Sequence, residues 1–228
     1  MRGLAVASIV GQLAWLILVV VAGLAEPGYS EARDAVSELG ARTAERPWLF
    51  NAGVTVWGLS FVAAGVALGL AGPGGGRGWL GPGLIVLTGV AQILAGFPFP
   101  ADCRTTIDVG CEARELAGEV SWRHEAHGWA YFLGAIALLL SVFAMAWRFR
   151  GDPRWGRADL LAVGAGAFGL LVFAGLFFAV DVQQSYGLFQ RLALAAGGIW
   201  VAALTLGLLA VRSGRFPQLG FPHVREPG

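Results

Sequence analysis

The chain contains no lysine; all sixteen of its basic residues are arginine, which reads as codon usage rather than chemistry. Charge of either sign is scarce, at 14% of the 228 residues, where a soluble domain carries nearer a quarter. A net charge of +1 and the lack of any dense arginine run give no reason to expect nucleic acid as a partner. Only two cysteines occur, Cys103 and Cys111, and their spacing is too wide for a CxxC metal site. The apolar stretches hold almost no ionisable residue, which speaks against a channel or pump, since a proton or ion path needs such groups in depth.

What the chain has in abundance is apolar. It is 56% hydrophobic, with 35 glycines and nine tryptophans, a composition that suits close helix contact in lipid and aromatic residues at its interface. Six apolar stretches, at about 3–25, 49–71, 79–97, 128–147, 160–180 and 192–211, each approach the roughly 20 residues a spanning helix needs. The expectation is therefore an all-α protein, one six-span membrane domain over residues 1–228 with a tail at 212–228. Gly23-Leu24-Ala25 looks like a signal-peptidase site, but the run before it exceeds a signal h-region of about 7–15 residues, so a retained helix is expected. Gly65 and Gly69 have small-xxx-small spacing, which serves internal packing or a homo-oligomer or larger membrane complex equally well. The glycine-rich turn at 72–78 lacks the Gly-Lys-Ser/Thr ending of a phosphate loop.

Six spans put both termini on one side. That side holds nine arginines against three acidic residues, and the other holds seven against twelve. The arginine excess predicts cytoplasmic termini in the cytoplasmic (inner) membrane. The connections at 26–48 and 98–123, and a short link at 181–191, then lie outside, where sites gather on loops held by a scaffold. In the first, Ala32, Ala35, Val36 and Leu39 have helical spacing between Ser30 and Gly40, with Glu31, Asp34 and Glu38 on another face; a surface amphipathic helix is expected. Outside the cell, Cys103 and Cys111 are expected to form a disulfide worth roughly 2–3 kcal/mol.

The most concentrated candidate chemistry is Ser121-Trp122-Arg123-His124-Glu125-Ala126-His127-Gly128, where two of the three histidines stand at i, i+3 and can share a helix face. With Asp102 they would supply three ligands for zinc or another divalent metal, leaving a position open for water. The plainer reading is that they cap the outer end of a helix and bond to loop acids. Ser37, Glu38, Glu125, Asp181, Gln184 and Arg191 complete the outer polar set, and Asn51 can join from inside the second span. Asp181 and Arg191 can pair across their link.

Several stretches resemble a known family: Tyr29-Ser30, Val36-Ser37-Glu38-Leu39-Gly40-Ala41, Phe50-Asn51-Ala52-Gly53, Ala95-Gly96-Phe97-Pro98 with Asp102, and His124 with His127-Gly128. They are similar to the signatures of bacterial six-helix membrane proteins catalogued as domain of unknown function 998. Three departures stand out. Phe99-Pro100-Ala101-Asp102 repeats the Phe-Pro of Phe97-Pro98, the histidine pair is narrower, and the cysteines are additional. The resemblance implies recurrent polar residues at Ser37, Asp102 and His127 and supplies no activity. A more distant similarity, to membrane hydrolases of the alkaline ceramidase and progestin-receptor type, implies zinc held by three histidines on seven spans; this chain lacks the third histidine and the seventh span.

Three functions follow as expectations. The leading one is an outer-face site that holds a membrane lipid or amphiphile. The second is a hydrolase of lipid or lipid-linked substrates using His124, His127, Asp102 and Ser37, with or without metal. The third is a structural subunit of a membrane complex.

Overall fold

The computed structural model describes residues 1–71, 76–150, 158–178 and 182–212. Among them it contains seven α-helices and no strand: α1 (Arg2–Ala25), α2 (Pro47–Ala71), α3 (Gly76–Gly96), α4 (Cys111–Leu116), α5 (Trp122–Phe149), α6 (Ala158–Phe178) and α7 (Val182–Arg212), with a short 3-10 helix at Val36–Gly40. Pro47 opens α2, a position where its missing N–H costs nothing. Five helices, α1, α2, α3, α5 and α7, carry stretches long and apolar enough to cross a membrane, and α6 carries a shorter one at Leu160–Leu171. Leu24, Leu160, Leu161 and Leu171 stand open on the outside of the bundle. Such a coat is a liability in water and suits lipid. The chain is a multi-pass membrane protein.

The long helices close into a ring, α1–α2–α3–α5–α6–α7 and back to α1. Neighbours run antiparallel: Trp15 of α1 stacks on Trp57 of α2 with ring centres 5.1 Å apart, and Thr88 of α3 donates to the Gly134 carbonyl of α5. The tightest seam is α2 on α3. A Cβ on Gly58 would lie 2.5 Å from the Gly89 carbonyl oxygen, and one on Gly89 would lie 2.4 Å from that of Gly58, so the two backbones meet only because both residues are glycine. Gly65 and Gly69 are spent on the same seam, against Pro82, Val86 and Trp79. Trp15, Phe50, Trp57 and Phe61 form the aromatic centre of the core.

Alternation gathers the connections 26–46 and 97–121 and the start of α7 at one end of the bundle. At the opposite end Arg148 donates to the carbonyls of Gly78 at 2.5 Å and Leu68 at 2.9 Å, closing the ends of α3 and α2.

Local structure departs from expectation at four places. Residues 30–40 do not form a surface amphipathic helix: Asp34 turns back to accept the Ser30 N–H at 2.7 Å, only Val36–Gly40 is helical, and Asp34, Val36, Glu38 and Leu39 are buried rather than split between two faces. The reason lies in partners on the other connection, described below. The polar link at 181–191 is instead mostly the first turns of α7, which begins at Val182. Helix α5 starts at Trp122, so both histidines lie inside it. Helix α4 was not anticipated. Asp181 and the side chain of Gln184 lie outside the described residues.

Candidate functional site

Ser121 caps α5, its hydroxyl accepting the His124 N–H. The Asp102 carboxylate holds that cap from the other side, accepting the Ser121 N–H at 2.6 Å and the Ser121 hydroxyl at 2.9 Å, with Arg42 at 3.3 Å. A negative charge at a helix N-terminus is stabilising. Burial would raise the Asp102 carboxyl, but the two Ser121 bonds, with Arg42 and His124, hold it below its ordinary value.

The two histidines take opposite tautomers. The Nδ1 of His124 accepts the Asp102 backbone N–H at 3.1 Å, and its Nε2 lies 3.0 Å from the Glu115 carboxylate. The Nδ1 of His127 lies 2.9 Å from the carbonyl oxygens of both Ala95 and Phe99. Two carbonyls require a donor, so His127 carries its proton there and its Nε2 is bare. That nitrogen is buried without a partner among the described residues. The ring sits edge-on to Tyr131, centres 4.9 Å apart.

Among the described residues, the potential ligand atoms that lie within 4.8 Å of one another belong to Cys103, Glu115 and His124. His124, His127 and Asp102 do not converge in that way: each spends its ligand atoms on a different partner, except the bare Nε2 of His127. Nor is Cys103 a free thiolate, because it is joined to Cys111 in a disulfide.

A second cluster ties the two connections together. Arg104 donates twice to Asp108, at 2.7 and 3.0 Å, and pairs with Glu26. Burial would raise Asp108, but Arg104 and Thr43 hold it below its ordinary value. Thr106 donates its N–H to Glu38 at 2.7 Å, and its hydroxyl lies 2.6 Å from the other Glu38 oxygen and 2.9 Å from Asp34. One hydroxyl proton cannot serve two carboxylates. Burial would raise Asp34, but Arg33, Ser30 and Thr106 hold it below its ordinary value. Burial pushes Glu38 up, by more than the Thr106 bonds pull it back, and the Asp34 charge adds to the rise. The two carboxylates therefore share one hydroxyl donor, and Glu38 is the one that holds its own proton more tightly than usual.

The third cluster docks α7. The N–H groups of Gly187 and Leu188 donate to the carbonyls of Arg33 and Ala32 at 3.1 and 2.9 Å. A Cβ on residue 187 would lie 2.3 Å from the Asp34 carbonyl oxygen, so this approach demands glycine. The Val36 N–H donates to Gln190 at 2.6 Å. Arg191 donates to the carbonyls of Glu31, Asp34 and Gly187, donates to the Tyr29 hydroxyl at 2.6 Å, and pairs with the Glu31 carboxylate. Burial holds the Tyr29 phenol above its ordinary value against the pull of Arg191. Glu31 also lies over the end of α1, where a Cβ on Gly23 would meet its carboxylate oxygen at 2.4 Å. It therefore bridges α1 and α7.

Beneath that bridge, between α1 and α7, lies a cleft of about 440 Å³. Leu16, Val20, Leu194 and Ile199 line it, with Trp57 from α2. Its polar groups are Glu31 and Arg191 at one end and Gln12 along its length.

Of the expected residues, Asp102 and His124 meet, and Glu38 and Arg191 stand in two further clusters of the same end. Asn51 donates to the Gly40 carbonyl at 3.2 Å. Ser37 is half-buried and its hydroxyl has no partner among the described residues. Glu125 is exposed. The sequence reading missed Tyr29, Arg104 and Thr106 as organisers, and placed Glu31 only on a helix face. A signal existed for one of them: Arg104 stands between Asp102 and Asp108, and it sits beside a cysteine.

The family model described as "Protein of unknown function (DUF998)" matches residues 9–207. No curated protein and no solved structure is significantly similar to the chain.

Proposed function

The chain belongs to the protein family of unknown function DUF998, and from that premise we propose that it is a six-span protein of the cytoplasmic membrane that holds a lipid or amphiphile at its outer face. The site is the cleft between α1 and α7. Its apolar walls, small-molecule volume and single charged end are the observation that carries the reading. From Arg191 to Ala202 the α7 wall runs for roughly 16 Å at about 1.5 Å per residue, enough for much of one acyl chain. In this reading α6, at 21 residues, is the sixth span. The arginine excess keeps both termini inside and sets the loop end in the outer leaflet.

The test is lipid retention. Protein extracted in mild detergent and washed should keep a lipid detectable by mass spectrometry. Gly198→Leu, which fills the cleft beside Gln12, should lose it while helix content is unchanged. Retention equal to wild type in that variant would overturn the assignment.

One observation favours a second reading, a hydrolase of lipid or lipid-linked substrates. His127 presents a bare Nε2, the form a general base needs. Turnover of a lipid ester that disappears in His127→Gln, with the fold intact, would favour this reading over the lipid holder.

A further inference from the structure

We infer that the cleft selects a phospholipid whose headgroup carries an ammonium beside its phosphate. The inference rests on the lipid reading above and names the class of lipid.

The two charges at the cleft mouth differ in what they have left to offer. Arg191 has little. Both of its terminal nitrogens are spent, on Tyr29, on the Glu31 carboxylate and on three carbonyl oxygens, and its side chain is 24% exposed. Only its Nε–H has no partner among the described residues. Glu31 is the open charge, at 58% exposed, with one oxygen on Arg191 and the other over Gly23 at the end of α1. The neighbouring charges of the two connections are matched among themselves, Arg33 with Asp34 at 2.7 Å and Arg104 with Glu26 and Asp108. A headgroup above the cleft therefore meets one accessible carboxylate and one guanidinium N–H.

An anionic headgroup would bring its charge against the more exposed partner of the pair, the Glu31 carboxylate, and find a single N–H of Arg191 to receive it. A headgroup with both signs fits: its ammonium on Glu31, its phosphate near the Arg191 Nε–H, its chain in the cleft. A primary ammonium adds N–H donors that a quaternary one lacks.

The experiment uses the full chain, stripped of lipid in detergent and titrated with phosphatidylethanolamine, phosphatidylglycerol and phosphatidylcholine of one chain composition, with bound lipid counted by native mass spectrometry. Wild type should prefer phosphatidylethanolamine over phosphatidylglycerol by roughly threefold, the scale of a half-exposed ion pair. Phosphatidylcholine should fall between them. Glu31→Gln, which keeps the shape, should still bind lipid and lose the preference. An equal or reversed order in wild type, or a preference that survives Glu31→Gln, would overturn this inference and leave the lipid reading standing. A preference that survives Gly198→Leu arises elsewhere on the surface and would overturn the lipid reading of the cleft as well. Wild type that binds none of the three would overturn both.

Discussion

Thr106 has one hydroxyl proton and two carboxylates within reach, and that imbalance sets how the loop end responds to pH. Glu38 is raised above its ordinary 4.5. The folded state therefore binds its proton more tightly than the unfolded state does. Its contribution is fully present below 4.5 and is lost as pH rises through the raised value. Asp34, Asp102 and Asp108 are lowered from an ordinary 3.8, so their contributions are present above 3.8 and are lost as pH falls through the lowered values. Thermal stability should therefore fall on both sides of a mildly acidic optimum. Glu38→Gln keeps the acceptor for the Thr106 N–H and a donor for its hydroxyl. It should match wild type near the optimum and exceed it on the alkaline side, read as Tm against pH. Glu38→Ala strands the Thr106 N–H and should cost about 1–3 kcal/mol throughout. A Glu38→Gln profile that still falls with wild type toward alkaline pH would mean that the ionisation of Glu38 is not what costs stability there.

At the scale of elements, the decisive contact is α7 on the first connection. Gly187→Ala places a methyl against the Asp34 carbonyl, and overpacking of this kind costs about 1–3 kcal/mol. The variant should lower Tm, speed hydrogen exchange at the Gly187 and Leu188 amides, and loosen the cleft that α7 forms with α1. The disulfide acts on the other connection. Replacing Cys103 and Cys111 together by serine should cost roughly 2–3 kcal/mol by chain entropy, seen as a lower Tm that reductant no longer changes. The long helices were legible because an apolar run of spanning length leaves the backbone no other way to satisfy itself in lipid. The pairing of the cysteines was legible from their spacing, too wide for a CxxC metal site, and from the outside compartment that the arginine count predicts. The turn at Asp34 was not. Its spacing in 30–40 is helical, and the partner that pins it, Thr106, is 72 residues away. The start of α5 was misplaced for a related reason: its first turns are polar, with His124 set against Asp102 and Glu115 and with Arg123 and Glu125 exposed, and a reading by hydropathy stops where polarity begins. The same holds for α7, whose Gln190 and Arg191 look like a link and are a docked helix face.

For the whole molecule, the antiparallel ring leaves one question that decides the biology, which end faces out. The geometry gathers both long connections, the disulfide and the Glu31–Arg191 bridge at one end, and sets Arg148 at the other. The sign of each end comes from the arginine count along the sequence. In intact cells, a membrane-impermeant reductant followed by an impermeant maleimide should label Cys103 and Cys111. In a chain with both cysteines replaced by serine, Gly3→Cys should be labelled only after permeabilisation. The reverse pattern would move the cleft mouth to the inner leaflet. The headgroup selection argued from Glu31 would survive that reversal, because it depends on local charge and not on sidedness. An oxidised cysteine pair would not be expected to persist there, since the cytosol keeps thiols reduced. The disulfide is thus the feature that links the fold to its orientation, and its redox state in freshly broken cells, trapped with acid before labelling, is the measurement that tests the two together.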